Sequence, residues 1–164
     1  YYVRASKEEY ETNEKTFGSV TKTGESKLDI ELKRNIFPVE VGTDLGKILG
    51  VSIIYFDLDK WNIRPDAAED LEKIIAVMNQ YPNMTIDIRS HTDSRQTHKY
   101  NELLSDRRAK STLEFMVKNG INRNRLTAKG YGETQLVNNC SDDVHCSEAE
   151  HQKNRRSEFI VLKM

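Results

Sequence analysis

Ile86-Asp87-Ile88-Arg89-Ser90-His91-Thr92-Asp93 alternates apolar and charged side chains for four residues and then turns polar. A period of two is that of a strand with one buried face. The polar run must then lie at the strand's exit, where a loop begins on the surface. Polar side chains on a loop beside a rigid sheet are well placed for recognition. The rest of the chain is read outward from this stretch.

Upstream, Pro65 opens a helix, a position where its missing N–H costs nothing. Ala68, Leu71, Ile75 and Met78 follow at helical spacing, and Pro82 ends the run. Before it, Ile53-Ile54-Tyr55-Phe56 is a short apolar run suited to a buried strand. Downstream, a second helix is expected from about Tyr100 to Asn119. Ala109, Thr112, Leu113 and Met116 form its core stripe, and Gly120 stands where a C-terminal cap belongs. Leu126 to Lys129 and Phe159-Ile160-Val161-Leu162 complete the pattern as two further strands. The fold class is α+β, a β-α-β-α-β-β order with helices on one face of a mixed sheet. This domain is expected over residues 50–164, behind a linker at 35–49.

Residues 1–34 differ. Leu28, Ile30 and Leu32 alternate with Asp29 and Glu31, Tyr2-Val3-Arg4-Ala5 and Thr16-Phe17-Gly18-Ser19-Val20 are further strand candidates, and Thr23-Gly24-Glu25-Ser26 has turn composition. Three short strands bury little core. The pattern resembles the end of a small β-sandwich of the carboxypeptidase-regulatory-like kind.

The chain has 164 residues, 31% of them charged, and a net charge of −1. That balance lacks the basic surplus of a general nucleic-acid binder. No stretch approaches the roughly 20 apolar residues of a membrane-spanning helix. The start, Tyr1-Tyr2-Val3, has neither Met nor a basic leader, so the chain reads as a piece of a longer protein. Any membrane association would then come from parts outside it. Cys140 and Cys146, the two cysteines, lie close together in a polar stretch. They are expected to form a disulfide, which implies an oxidising compartment. Closing so short a loop contributes about 2 kcal/mol in the chain-entropy view.

Asn101, Leu104 and Arg108 fall at i, i+3 and i+7, on one stripe of the second helix. The short loop from Asp93 to Tyr100 brings a carboxylate back toward that stripe. An Asp and an Arg facing one pocket hold a zwitterion, the Asp taking an ammonium and the Arg forking onto a carboxylate. On spacing alone a structural alternative stands beside this: Asp93 and Arg108 bond to each other, or Asp93 caps a turn.

His91-Thr92-Asp93, Tyr100-Asn101, Leu104-Ser105 and Arg107-Arg108-Ala109, followed in order by Gly130-Tyr131-Gly132-Glu133 and Asn154-Arg155-Arg156, closely resemble the signature of OmpA-like C-terminal domains and peptidoglycan-associated lipoproteins. Tyr55-Phe56, Leu58-Asp59-Lys60 and Ile63-Arg64 resemble the family's first strand and the loop after it. The resemblance covers about residues 50–164. It implies a non-catalytic domain that binds the diaminopimelate of a peptidoglycan stem and tethers an outer-membrane protein or lipoprotein to the wall from the periplasm. Asp93 and Arg108 take the ligand positions within the motif that includes Thr92, Asn101 and Leu104 shape the pocket, Leu58 and Asp59 belong to a closing loop, and Arg155 lies near the site. No cofactor is implied. Ser90 stands where many members have Gly, and the insert around Cys140 and Cys146 resembles a Bacteroidetes-type variant. The alternative function is a protein-interaction module of an envelope secretion or gliding complex, with the pocket unused.

Three other chemistries fit less well. A calcium loop from Asp57 would want Gly and Glu where Asn62 and Ala68 stand. Cys140, His145, Cys146 and His151 match no zinc spacing, and a disulfide would remove two of the four. Ser90, His91 and Asp93 are too close in sequence to converge as a hydrolase triad.

Overall fold

The computed structural model describes residues 2–6, 12–16, 18, 28–32, 39–51, 54, 56 and 61–164. The chain divides into two compact units, Tyr1–Pro38 and Val39–Met164.

In the first unit, β1 (Tyr2–Ala5) pairs antiparallel with β2 (Asn13–Thr16), Tyr2 opposite Thr16. β2 thus ends where the sequence expects a strand to start. Residues 28–32 are not a strand. They are held instead by side chains of β2, as Asn13 Nδ2 donates to the Glu31 carbonyl at 2.7 Å and Lys15 Nζ to that of Asp29 at 2.8 Å. The expected turn at 23–26 lies outside the described residues.

The second unit contains α1 (Leu45–Ile48), α2 (Pro65–Gln80), β3 (Thr85–His91), α3 (His98–Lys118), β4 (Leu126–Gly132), α4 (Glu148–Asn154) and β5 (Ser157–Lys163). The strands form a mixed sheet of order β4-β3-β5, with β3 parallel to β4 and antiparallel to β5. A parallel pair needs a crossover, and α3 supplies it. Of the expected first strand, Ile53 and Tyr55 lie outside the described residues, while Ile54 is buried and Phe56 packs against the core.

The period of two in β3 sorts the sheet faces. Ile86 and Ile88 are fully buried, and their partners Val161 and Phe159 on β5 and Leu126 on β4 share that face. Asp87 and Arg89 point the other way, where Asp87 Oδ2 accepts from Arg89 Nε at 2.8 Å and Oδ1 from the Thr127 hydroxyl at 2.6 Å. One face is therefore apolar and the other polar, as in a sheet covered by helices on one side.

α2 begins with Pro65 in its first turn and stops before Pro82. It buries Ala67, Leu71, Ile74, Ile75, Val77 and Met78, so Ala67 takes the inward place that the sequence suggests for Ala68. Arg125 closes its C-terminal end, donating to the carbonyls of Met78, Tyr81 and Met84 at 2.7–2.8 Å. A cation there satisfies orphan carbonyls and opposes the helix dipole.

The stretch 39–49, expected as connecting chain, contributes Val39 and Leu45 to the same core. Gly42 N–H donates to the Val161 carbonyl and Val161 N–H to that of Thr43, at 2.8 and 2.9 Å. Asp44 Oδ1 accepts from Gly46 N–H and Phe159 N–H, capping α1 and holding β5 with one oxygen. These backbone groups would otherwise line an open sheet edge.

α3 lies close over β4. A Cβ on Gly130 would stand 2.1 Å from the Asp106 nitrogen and 2.4 Å from the Ser105 hydroxyl. The Ser105 hydroxyl in turn accepts from Gly132 N–H at 2.8 Å. The glycine at 130 is thus required by the approach of two backbones. Gly130→Ala is expected to lower the unfolding free energy by about 1–3 kcal/mol, the cost of overpacking, measured by urea unfolding; an unchanged midpoint would contradict this docking of α3 on β4.

Candidate functional site

The pairing of β3 with β4 shifts register between Ser90 and His91, so that His91 lies opposite Gly132. Gly132 has φ +52°, a conformation that favours glycine, and its carbonyl accepts from Thr92 N–H at 2.9 Å. This irregularity sets the point where Thr92 and Asp93 leave the sheet.

α3 starts six residues later, capped by the Thr97 side chain on Tyr100 N–H. Asn101 ties the two ends together. Its Nδ2 donates to the carbonyls of Asp93 at 3.0 Å and Gln96 at 3.3 Å and to the carboxylate of Glu133. At 2% exposure Asn101 is buried, so its amide nitrogen holds the loop in shape. The same helix stripe then presents Leu104 and Arg108. Thr92, Asp93, Asn101, Leu104, Arg108 and Arg155 line one cleft of about 370 Å³. All six are site residues expected from the sequence; Leu58 and Asp59 lie outside the described residues.

The Asp93 carboxylate is enclosed by two guanidiniums. Its Oδ2 accepts from Arg95 Nε at 3.1 Å, Arg95 Nη2 at 2.8 Å and Arg155 Nη1 at 2.5 Å. Its Oδ1 accepts from Arg95 N–H at 3.2 Å. Glu148, at the start of α4, completes a ring, one oxygen taking Arg155 Nη2 at 2.5 Å and the other Arg95 Nη1 at 2.7 Å. Burial pushes the Asp93 carboxyl up, but the hydrogen bonds from Arg95 and Arg155 outweigh it and hold the group below the usual aspartate range. It is an anion at neutral pH. Arg108 is oriented differently, its guanidinium lying 4.9 Å over the Phe56 ring.

The neighbouring insert is built around the Cys140–Cys146 disulfide, with Cα atoms 5.9 Å apart. Bonded together, the two sulfurs are not free for the zinc arrangement weighed above. Ser94, next to Asp93, donates its hydroxyl to the Cys140 carbonyl at 2.6 Å. Asn138 bonds the Glu150 carbonyl and the Asn154 amide, joining the insert to α4. The insert therefore positions α4, and α4 positions Glu148 and Arg155.

Arg95, Gln96 and Tyr100 also line the cleft, and sequence reasoning did not single them out as ligand contacts. Arg95 was within reach, two residues after Asp93 at a loop position. Glu148 was not, since only the fold brings it across from a separate segment.

Residues 55–150 match the OmpA family. The Photosystem I P700 chlorophyll a apoprotein A2 of Gloeobacter violaceus is 39% identical over 109 residues, 66% of this chain and 12% of that protein. The peptidoglycan-associated lipoprotein of Agrobacterium fabrum is 36% identical over 108 residues, 66% of this chain and 58% of that protein. The chain thus spans less than two thirds of either relative's length. Among solved structures, the peptidoglycan-associated lipoprotein of Burkholderia pseudomallei shares the fold, with a TM-score of 0.57 at 24% identity over 66% of this chain and 87% of that one. The family match extends over more than half of the sequence and includes the strand exit, the α3 stripe and the Gly130–Gly132 approach that shape the cleft, and on that ground the chain belongs to the OmpA family.

Proposed function

We propose that this domain binds peptidoglycan non-covalently, through the diaminopimelate of its peptide stem, and so tethers the protein that carries it to the cell wall. The observation that carries this reading is one cleft holding an ionised carboxylate, Asp93, together with the guanidinium of Arg108. The free end of diaminopimelate carries an ammonium and a carboxylate on one carbon. The ammonium pairs with Asp93, the carboxylate takes the planar fork of Arg108, and Leu104 and Tyr100 flank the methylene chain. Leu58 and Asp59 close over the ligand in this reading. The similarity to a protein named peptidoglycan-associated lipoprotein supports it. The site acts by charge pairing and shape, as a binding module rather than an enzyme. Its place is the periplasm, with outer-membrane attachment supplied by the rest of the parent protein; among the described residues no helix is long and apolar enough to cross a membrane.

Asp93 already pairs with Arg95, and the incoming ammonium must share or displace that contact. Arg95 is the partner suited to yield. Both arginines also bond Glu148, but the Arg95 side chain is 47% exposed against 23% for Arg155 and so moves at less cost. The same saturation of Asp93 favours a second reading, an envelope protein-interaction module in which the pocket is unused.

Calorimetric titration separates the two. A diaminopimelate stem peptide is expected to bind at least about tenfold tighter than the lysine peptide, which lacks the carboxylate that Arg108 holds; a charge-assisted bond contributes about 1.5–3 kcal/mol. Arg108→Ala should erase that preference and leave the fold intact. Absence of binding by either peptide would favour the interaction module. Arg95→Ala is expected to tighten the diaminopimelate peptide by about threefold or more, because it removes a competitor for Asp93; weaker binding would mean that Arg95 itself holds the ligand.

A further inference from the structure

Arg108 and Arg155 line two cavities. The second, of about 190 Å³, has His91, Arg156, Gln152, Ser90 and Ser157 on its wall, with Phe56 as an apolar side. It is several times the roughly 30 Å³ share of a water molecule, room for a carboxylate and a few carbons.

His91 is the unusual group here. It is 2% exposed, and neither ring nitrogen has a hydrogen-bond partner. Nε2 stands 3.6 Å from a Glu158 oxygen, too far for a hydrogen bond. The ring stacks on Tyr131 with centroids 5.4 Å apart. Leaving buried polar atoms unsatisfied costs about 1–3 kcal/mol each, and native proteins rarely do so without reason. Burial first, then the Arg156 guanidinium, push its pKa down to about 4, so the ring is neutral near pH 7 and offers one N–H and one acceptor.

Among the described residues, three guanidiniums line the cavity and no carboxylate does. The acids that bond Arg155 and Arg156, namely Asp93, Glu148 and Glu158, lie outside the lining. Arg156 bonds Glu158 and the Gln135 carbonyl, and its guanidinium has further N–H donors beyond those contacts.

We propose that this inner cavity is an anion subsite, taking a second carboxylate of the ligand whose zwitterionic end occupies the outer cleft. The proposal rests on the reading of that cleft given above. It specifies the ligand more closely: a stem peptide that ends at diaminopimelate, whose main-chain carboxylate is free, is preferred over one in which that carboxylate is blocked. The carboxylate accepts from Arg156 and from the His91 N–H.

The test compares a stem tripeptide ending in diaminopimelate with the same tripeptide amidated at its main-chain carboxylate. Affinity is read by calorimetry and the His91 ring by side-chain NMR. The free acid is expected to bind about tenfold tighter than the amide and to shift the His91 ring signals, which the amide leaves in place. In Arg156→Gln the two peptides converge while the amide binds as to the unaltered protein. Equal binding of acid and amide to the unaltered protein, with His91 unmoved, overturns the inner subsite and leaves the outer cleft standing, and needs no variant. Absence of binding by either peptide removes the outer reading and this one with it.

Discussion

A carboxylate that is nearly buried stays ionised only where cations compensate its lost hydration. Asp93 meets that condition through Arg95 and Arg155, with Glu148 closing the ring. Much of the second unit's outer architecture serves this arrangement. The register shift at the end of β3 delivers Asp93 to the surface, Asn101 fixes the loop that holds it, and α4 carries Glu148 while Arg155 follows directly after it. The disulfide loop docks on both sides of the ring, through Ser94 and through α4. A site of this kind is pre-organised: the cost of gathering its charges is met in folding and not in binding.

The same ring sets a physical problem for recognition. An anion already paired by two guanidiniums attracts a third cation only weakly unless one of them can move. Exposure distinguishes the two arginines, and the more exposed one moves at less cost. Arg108 stands outside the ring of Asp93, Arg95, Arg155 and Glu148 and lies against Phe56, lining both cavities.

Local physics made most of the second unit legible. Ile86 and Ile88 marked a half-buried strand, Pro65 and Pro82 bracketed α2, and the α3 stripe of Ala109, Thr112, Leu113 and Met116 is buried as expected. β4 runs past Lys129 to Gly132, pairing there with Ser90 and His91 of β3, and the close approach of α3 at Gly130 and Gly132 calls for glycine and not for the apolar side chain that marks a strand. α4 is too short for its apolar period to show, and its one local signal is the capping box of Ser147 with Glu150. The edge contacts of residues 42–44 and the ion-pair ring join segments far apart in sequence, and no local period announces them. Asp93, Arg108 and their companions were recognisable as a motif, whereas Glu148 became visible only through the fold.

The matching segment occurs in proteins as different as a lipoprotein and a photosystem apoprotein, and in the latter it is a small fraction of the whole. The chemistry should therefore reside in this domain and be separable from its carrier. Co-sedimentation of the domain with purified sacculi tests that most directly. The domain should pellet with diaminopimelate-type sacculi, be released by free diaminopimelate, and stay in the supernatant with lysine-type sacculi. Equal pelleting with both, unaffected by diaminopimelate, would contradict a site built on Asp93 and Arg108.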